Sequence, residues 1–549
     1  MLYLLWIALA AAPLFAETNT CANTPVWTTC DLTFDLAANE NAATADVRAE
    51  FRSLRHRTYL MYAFAEGSRL TIRFAPTEEG EWDYRLTSNI ARLNEQTGKF
   101  TAATSDAPGF VKTANVHHFA TDRLDPEPDQ PHLWMGSAID NFLKLPRADF
   151  DRAVEQLASQ KFNHARVTLE PDADLREAAD RIRALNSRGL TADLVLAAIP
   201  EDAPARRKYI QAIASRLAPF NVTWMGVPAM EKLPHARALL KDAGQLLKQF
   251  DPYNHPRTSM ADVTSGPLSS DQWTTFRSYG TSDPNVGAIE QQLYATPAVN
   301  TGIRSSRDLW NATMNGQYPA SGSGPYMTAW FDFMSANRHW ELEPYFDLDG
   351  GRALALDGIE YIVYIEKPGP VEVTVEDHGY NVVWINPATG ERTRAKDYKG
   401  THFTGTPPDN KHDWVLQISR ESEKQRMLKS YKFTSRDEPI RLQTVEVNPE
   451  KTPFEVATPE EGALPAGPVP ASIKVTRNSR ATRTLLVEWT AEVTADGEGY
   501  RVAGVGNPGT LNVPRSLAHT LPASVLLHVY VLNALGKVYE LDRVNRLVP

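Results

Sequence analysis

Acidic and aromatic side chains at the ends of strand-like runs are the residues of this sequence best suited to chemistry. Glu231 stands just past NVTWMG, residues 221–226, which reads as a buried strand. A carboxyl at such a strand end can donate a proton once burial raises its pKa. A loop Glu capping the next helix is the competing reading. Glu170 closes NHARVTLEP, where Arg166, Thr168 and Glu170 recur at period two and share one strand face. That spacing suits an internal ion pair as well as a ligand contact. Glu290, Gln292 and Tyr294 repeat at the same period in AIEQQLYA, read as a strand that lines a polar site or fills an interior. Asp140 and Asn141 follow LWMGSAI and can meet ligand hydroxyls or cap a turn. Trp134, Trp224, Trp310 and Trp340 offer faces on which sugar rings stack, Trp134 and Trp310 foremost. Core packing is the alternative for each, since large aromatics are mostly buried.

Other chemistries find no support in the residues. His117 and His118 are adjacent on a predicted strand, so they point to opposite faces and do not chelate together. No cysteine–histidine spacing suits zinc, and no phosphate-binding loop, His-Glu-x-x-His motif or Ser-His-Asp arrangement occurs. We therefore expect neither metal nor cofactor. The net charge is −10 without a long basic run, which argues against nucleic acid and anionic membrane surfaces as partners. Cys21 and Cys30, the two cysteines of the chain, could close a short disulfide loop in an oxidising compartment.

The elements that must position these residues change along the chain. MLYLLWIALAAAPLFA, residues 1–16, reads as a secretory signal, with an uncleaved anchor as the alternative. No later run is apolar for the ~20 residues of a spanning helix, so we expect no integral membrane segment in the mature chain and a secreted, periplasmic or cell-surface location. Residues 17–127 alternate apolar and polar between turn signals and predict a β-sandwich with Phe74, Trp82 and Tyr84 inward. From 128 to 340, strand-like runs alternate with amphipathic helices. This pattern calls for parallel strands with crossover helices. RTSMAD, AIEQQLYA, TPAVNT and PYMTAW are the weaker later strands, and the count of about eight predicts a (β/α)8 TIM-type barrel. An open doubly wound sheet competes, but no Gly-rich turn follows the first strand. Residues 341–420 predict a small β-sandwich and 421–549 a C-terminal one.

Five stretches, in three groups, resemble known exported bacterial proteins. RFAPTEEGEWDYRL looks like the Ig-like domain that precedes certain glycoside hydrolase barrels. HLWMGSAIDNF, NVTWMG and FDPYNHP look like the apiosidase-type barrel. HWELEPYFDLDGGRALALDGIEYIVYIEKPGPVEV resembles the small domain, labelled collagen-binding, that follows such barrels. The resemblance spans about residues 50–400. It implies a glycosidase site at the C-terminal ends of the strands, with a carbohydrate as partner and two cooperating carboxylates. The family's first-strand Gly-Asp-Thr is Gly136-Ser137-Ala138 here. Its fourth-strand Glu falls near Ala229, leaving Glu231 as the proton-donor candidate. Its seventh-strand Pro-x-x-Asn-x-Glu becomes Pro297, Ala298, Val299, Asn300, Thr301 and Gly302, which keeps the Asn without the Glu. Two expectations follow: an active hydrolase, or a non-catalytic carbohydrate- or matrix-binding protein on the same scaffold.

Overall fold

A computed structural model describes residues 17–124, 127–233, 236–281, 286–430, 445–457, 463–465, 467–479, 482, 485–495, 498–513 and 524–548. The expected signal, 1–16, lies outside them. The described residues divide into two compact units. One holds the residues up to Ala107 with Ile210–Phe220 and Gln249–Tyr253; the other holds Pro108–Tyr209, Asn221–Lys248 and Asn254–Pro549.

In the first unit, alternating patterns make two antiparallel sheets. Glu17–Asn19, Cys30–Asp35, Arg69–Phe74 and Phe64–Glu66 pair in that order. Thr58–Tyr62, Val47–Ser53, Gly80–Ser88 and Thr97–Ala102 form the other. Phe51 from the second sheet stacks on Phe74 from the first at 4.1 Å. Phe74, Trp82 and Tyr84 are all buried, as their alternation requires. Cys21 and Cys30 form a disulfide.

In the second unit, strands Gly136–Ala138, His164–Leu169, Thr191–Leu196 and Val222–Trp224 pair in parallel and in sequence. Arg277–Tyr279, Ala298–Asn300 and Gln317–Pro319 make a second parallel sheet. Thr191–Leu196 is buried at every position, as a parallel strand covered on both faces must be. The two sheets are linked through residues 256–258. Trp224 N–H donates to Pro256 O and the Trp224 carbonyl accepts from Thr258 N–H, while Thr275 N–H donates to Arg257 O. Ser137 Oγ donates to Gly322 O at 2.9 Å, and Gly136 lies so close to Ala320 that a Cβ would meet its Cα at 3.1 Å.

The described strands are thus arcs of four and three, not one eight-stranded sheet. AIEQQLYA belongs to a helix, Val286–Leu293, and PYMTAW opens the helix Pro325–Ser335. RTSMAD holds only the bridge at Arg257. The reading missed Arg277–Tyr279 and Gln317–Pro319, because a three-residue strand carries too little periodicity to register.

Residues 343–419 form one branched antiparallel sheet of eight strands. Its longest strand, Val371–Ile385, shifts register between Thr374 and His378. The early half pairs with Tyr398–Gly405 and the late half with Trp414–Ser419, so the sheet bends over a core of Val373, Trp384 and Leu416. The segment from 421 opens with a helix, Glu421–Ser430, which the reading as a sandwich did not foresee. Beyond it a six-stranded and a three-stranded sheet share a core around Trp489, Val529 and Ile473.

Candidate functional site

Ligands of parallel α/β sheets bind beyond the C-terminal strand ends. There, Ala165, Val167 and Leu169 are buried on one face of their strand, while Arg166, Thr168 and Glu170 lie on the other. Thr168 and Glu170 are exposed. The register sets Ala138 beside Arg166 and Arg166 beside Asp193. Asp140 and Asn141, just past the first strand, are exposed. Asn141 takes a left-handed φ of 54°, and its carbonyl accepts from Lys144 and Leu145 to close the turn. Arg166 is half-buried, with no hydrogen-bond partner for Nη1. Burial lowers its pKa, opposed by the charges of Asp193 and Asp140. The rim therefore offers two open carboxylates, Asp140 and Glu170, with Arg166 within the electrostatic reach of Asp140.

Below this rim the interior closes. His164 Nδ1 lies 2.8 Å from Asp193 Oδ1, which also accepts from Thr223 Oγ1 at 2.7 Å. His164 Nε2 meets His132 Nε2 at 2.8 Å, and Trp134 stacks on the His164 ring at 3.5 Å. His164, Asp193 and Thr223 have no exposed surface. This chain of polar groups escaped the sequence reading, although a His and an Asp inside apolar strands were its visible signal.

The fourth strand end has no room for an acid. Gly226 takes φ 59°, and a Cβ there would lie 2.7 Å from Ser259 Oγ and Thr258 O. Val227 behind it is buried. Glu231 sits in the single turn Met230–Lys232 and accepts from the backbone N–H of Asp262 at 3.0 Å and of Val263 at 3.2 Å. Burial raises its pKa, while those amides pull the other way. It clamps two loops together, and those amides lie at 262–263, not at the start of the next helix, Ala236–Phe250. At the Ala298–Asn300 strand, Asn300 is 2% exposed. Its Nδ2 donates to Thr281 O and Gln317 Oε1, and its Oδ1 accepts from Gly302 N. The amide is fully engaged in holding the loop, so the expected ligand contact at Asn300 does not hold.

A solved structure from Bacteroides vulgatus, assigned provisionally as a glycoside hydrolase, matches with a TM-score of 0.62 at 17% identity, over 72% of this chain and 99% of its own. The chain has a glycoside-hydrolase-like fold. A family 5 glycoside hydrolase from Bacteroides vulgatus matches with a TM-score of 0.49 at 12% identity, over 60% of this chain and 96% of its own. The family model for a domain of unknown function, DUF5060, matches residues 23–89. A search of curated proteins gives no match.

Within this glycosidase-like fold the remaining candidates disperse. Glu290, Gln292 and Tyr294 lie on or just past a helix, so a two-residue spacing does not put them on one face. Glu290 has no exposed surface. It accepts from Thr264 Oγ1 at 2.7 Å and from Tyr279 Oη, and lies 3.8 Å from Arg277. Gln292 and Tyr294 are half-buried, and the Tyr294 ring lies 5.9 Å from the Arg277 guanidinium. Trp134, Trp224 and Trp310 are 0–1% exposed, which removes their faces from any cleft. Trp310 donates to Pro387 O and packs on Phe333 and Tyr364, joining its helix to the following β segment. Trp340 alone of the four is half-buried. His117 and His118, expected to diverge, both reach Glu343, at 3.2 and 3.4 Å. His117 sits in the turn before the strand His118–Thr121, which frees it from strand alternation. The paired histidines hold the Glu343 carboxyl well below its usual range against the effect of burial.

Among the described residues, one trio could ligate a metal: His528, Glu540 and Asp542, on neighbouring strands. His528 Nδ1 is already 2.7 Å from Asp542. No described helix is long and apolar enough to cross a membrane.

Proposed function

We propose that this chain is an exported carbohydrate-binding protein on a glycosidase scaffold that has lost its hydrolytic carboxylate pair. The parallel arcs, with residues 256–258 between them and Ser137 beside Gly322, act as an eight-membered (β/α)8-type ring across 128–340. An Ig-like sandwich (17–127) precedes it; a small β domain (341–420) and a C-terminal sandwich (421–549) follow. The disulfide between Cys21 and Cys30 supports an oxidising destination.

One observation carries the reading. Past the fourth strand, no side chain fits at Gly226, Ala229 stands where the resemblance puts the acid, and the nearest carboxylate beyond, Glu231, is held by two backbone amides. Acetal hydrolysis needs two carboxyl groups, about 5–5.5 Å apart for retention or about 6.5–9.5 Å for inversion. The test is a panel of aryl glycosides and polysaccharides. Retention in affinity electrophoresis without release of reducing ends supports binding. Hydrolysis that Glu231→Gln abolishes overturns it.

A second reading rests on Asp140 and Glu170, both exposed just past adjacent strands. On this reading they are the hydrolytic pair. Turnover lost in both Asp140→Asn and Glu170→Gln supports it, and turnover surviving either change excludes it.

A further inference from the structure

A cavity of about 660 Å³ lies away from the rim, at the N-terminal ends of the parallel strands. Asn163, Thr191 and Asn221, which begin those strands, line it. Its walls are Phe331 and Trp340, both half-buried, and its floor carries His132 and His339. A volume in this range suits a small ligand.

The lining holds no positive charge: no Lys or Arg contributes to it. Each of its two carboxylates has a cationic partner: Asp129 has Lys112 at 2.7 Å, which it shares with Asp122, and Glu127 has Arg123 at 2.9 Å. Burial, helped by His118, lowers His339 to about 3, so it stays uncharged. Burial and the neighbouring His164 and His339 hold His132 well below its ordinary value. An anion finds no cation here, and a cation finds carboxylates that already have basic partners.

His339 adds a directional group. It is 5% exposed, and its buried Nδ1 has no hydrogen-bond partner. That atom has no exposed surface, so a ligand in the cavity would meet the ring through Nε2. A neutral imidazole can donate to or accept from a hydroxyl, and Trp340 beside it offers an apolar edge. Aromatic walls with uncharged, convergent polar groups match a polyhydroxylated, uncharged ligand.

We propose that this cavity is a second carbohydrate site, which takes a neutral sugar residue against Trp340 with a hydroxyl on His339. The proposal rests on the carbohydrate-binding reading but places the site at the end of the strands opposite Asp140 and Glu170.

The test uses the full chain and isothermal titration with cello-, manno- and xylo-oligosaccharides as neutral probes. Oligogalacturonate and glucosamine oligomers are the charged ones. Ser335→Trp fills the cavity mouth from an exposed helix position and leaves the core untouched. We expect a neutral oligosaccharide to bind, and Ser335→Trp and Trp340→Ala each to weaken it at least tenfold. Binding lost in Glu170→Gln but kept in Ser335→Trp overturns the cavity assignment and leaves the carbohydrate reading standing. Binding of a charged oligomer alone overturns the ligand class. Failure to bind any saccharide overturns both. Thermal melts show whether each variant is folded.

Discussion

Asp193 shows how a carboxylate inside a glycosidase-like fold can be structural. One of its oxygens serves both His164 and Thr223, and Trp134 covers the His164 ring. Removing one partner of a buried pair strands the other, at a cost of about 3–5 kcal/mol. Asp193→Ala should lower unfolding free energy by that order in urea titration. A loss under 1 kcal/mol would mean His164 needs no partner. Glu231 and Asn300 teach a related lesson. Their positions at loop starts were legible, but what they hold there depends on backbone amides and carbonyls brought in from residues 262–263, 281 and 302. No local pattern encodes those partners. The tryptophans failed for a simpler reason: residue type predicts burial better than it predicts a ligand.

At the scale of elements, the helix Val286–Leu293 and the strand Leu486–Ala495 meet through two acids. Glu290 and Glu488 are 0–1% exposed and share a hydrogen bond. Arg277 and Tyr279 face them from the neighbouring strand, and Thr264 from the loop before it. Tyr530 and Glu540 continue the row across the sheet. Burial, then repulsion from Glu290, raises Glu488 well above its usual range, with Arg277 opposing. A carboxyl raised in this way binds its proton more tightly folded than unfolded. Its stabilising effect is therefore greatest in acid and is lost as pH climbs from ~4.3 through the folded value. Glu488→Gln mimics the protonated form. It should raise the melting temperature at pH 8 and leave it near wild type at pH 4. An equal shift at both pH values would show that the pair does not share a proton. This contact was invisible in the sequence, where AIEQQLYA read as a strand. Its helical burial, Ala288, Ile289 and Glu290 together, has no clean period in so short a run. By contrast, the four early strand–helix units were legible, since strands with buried apolar positions alternate with helices long enough to show a stripe.

At the scale of the molecule, a change of rhythm separated the β-rich ends from the α/β middle, and that contrast survives in the sheets. What the rhythm could not convey was closure. The second arc is built from three-residue strands whose register depends on neighbours about 20 residues away. The resulting scaffold keeps an open rim around Arg166 and a neutral cavity at its other end, and it lacks an acid at the fourth strand. The proposal of carbohydrate recognition without turnover rests on that combination. The most direct test takes the polysaccharide that most retards the chain in affinity electrophoresis and measures reducing ends released from it between pH 4 and 8. Retardation with no release above the uncatalysed background is the expected result. Release that disappears in Asp140→Asn and Glu170→Gln would contradict the account and make the rim an active site.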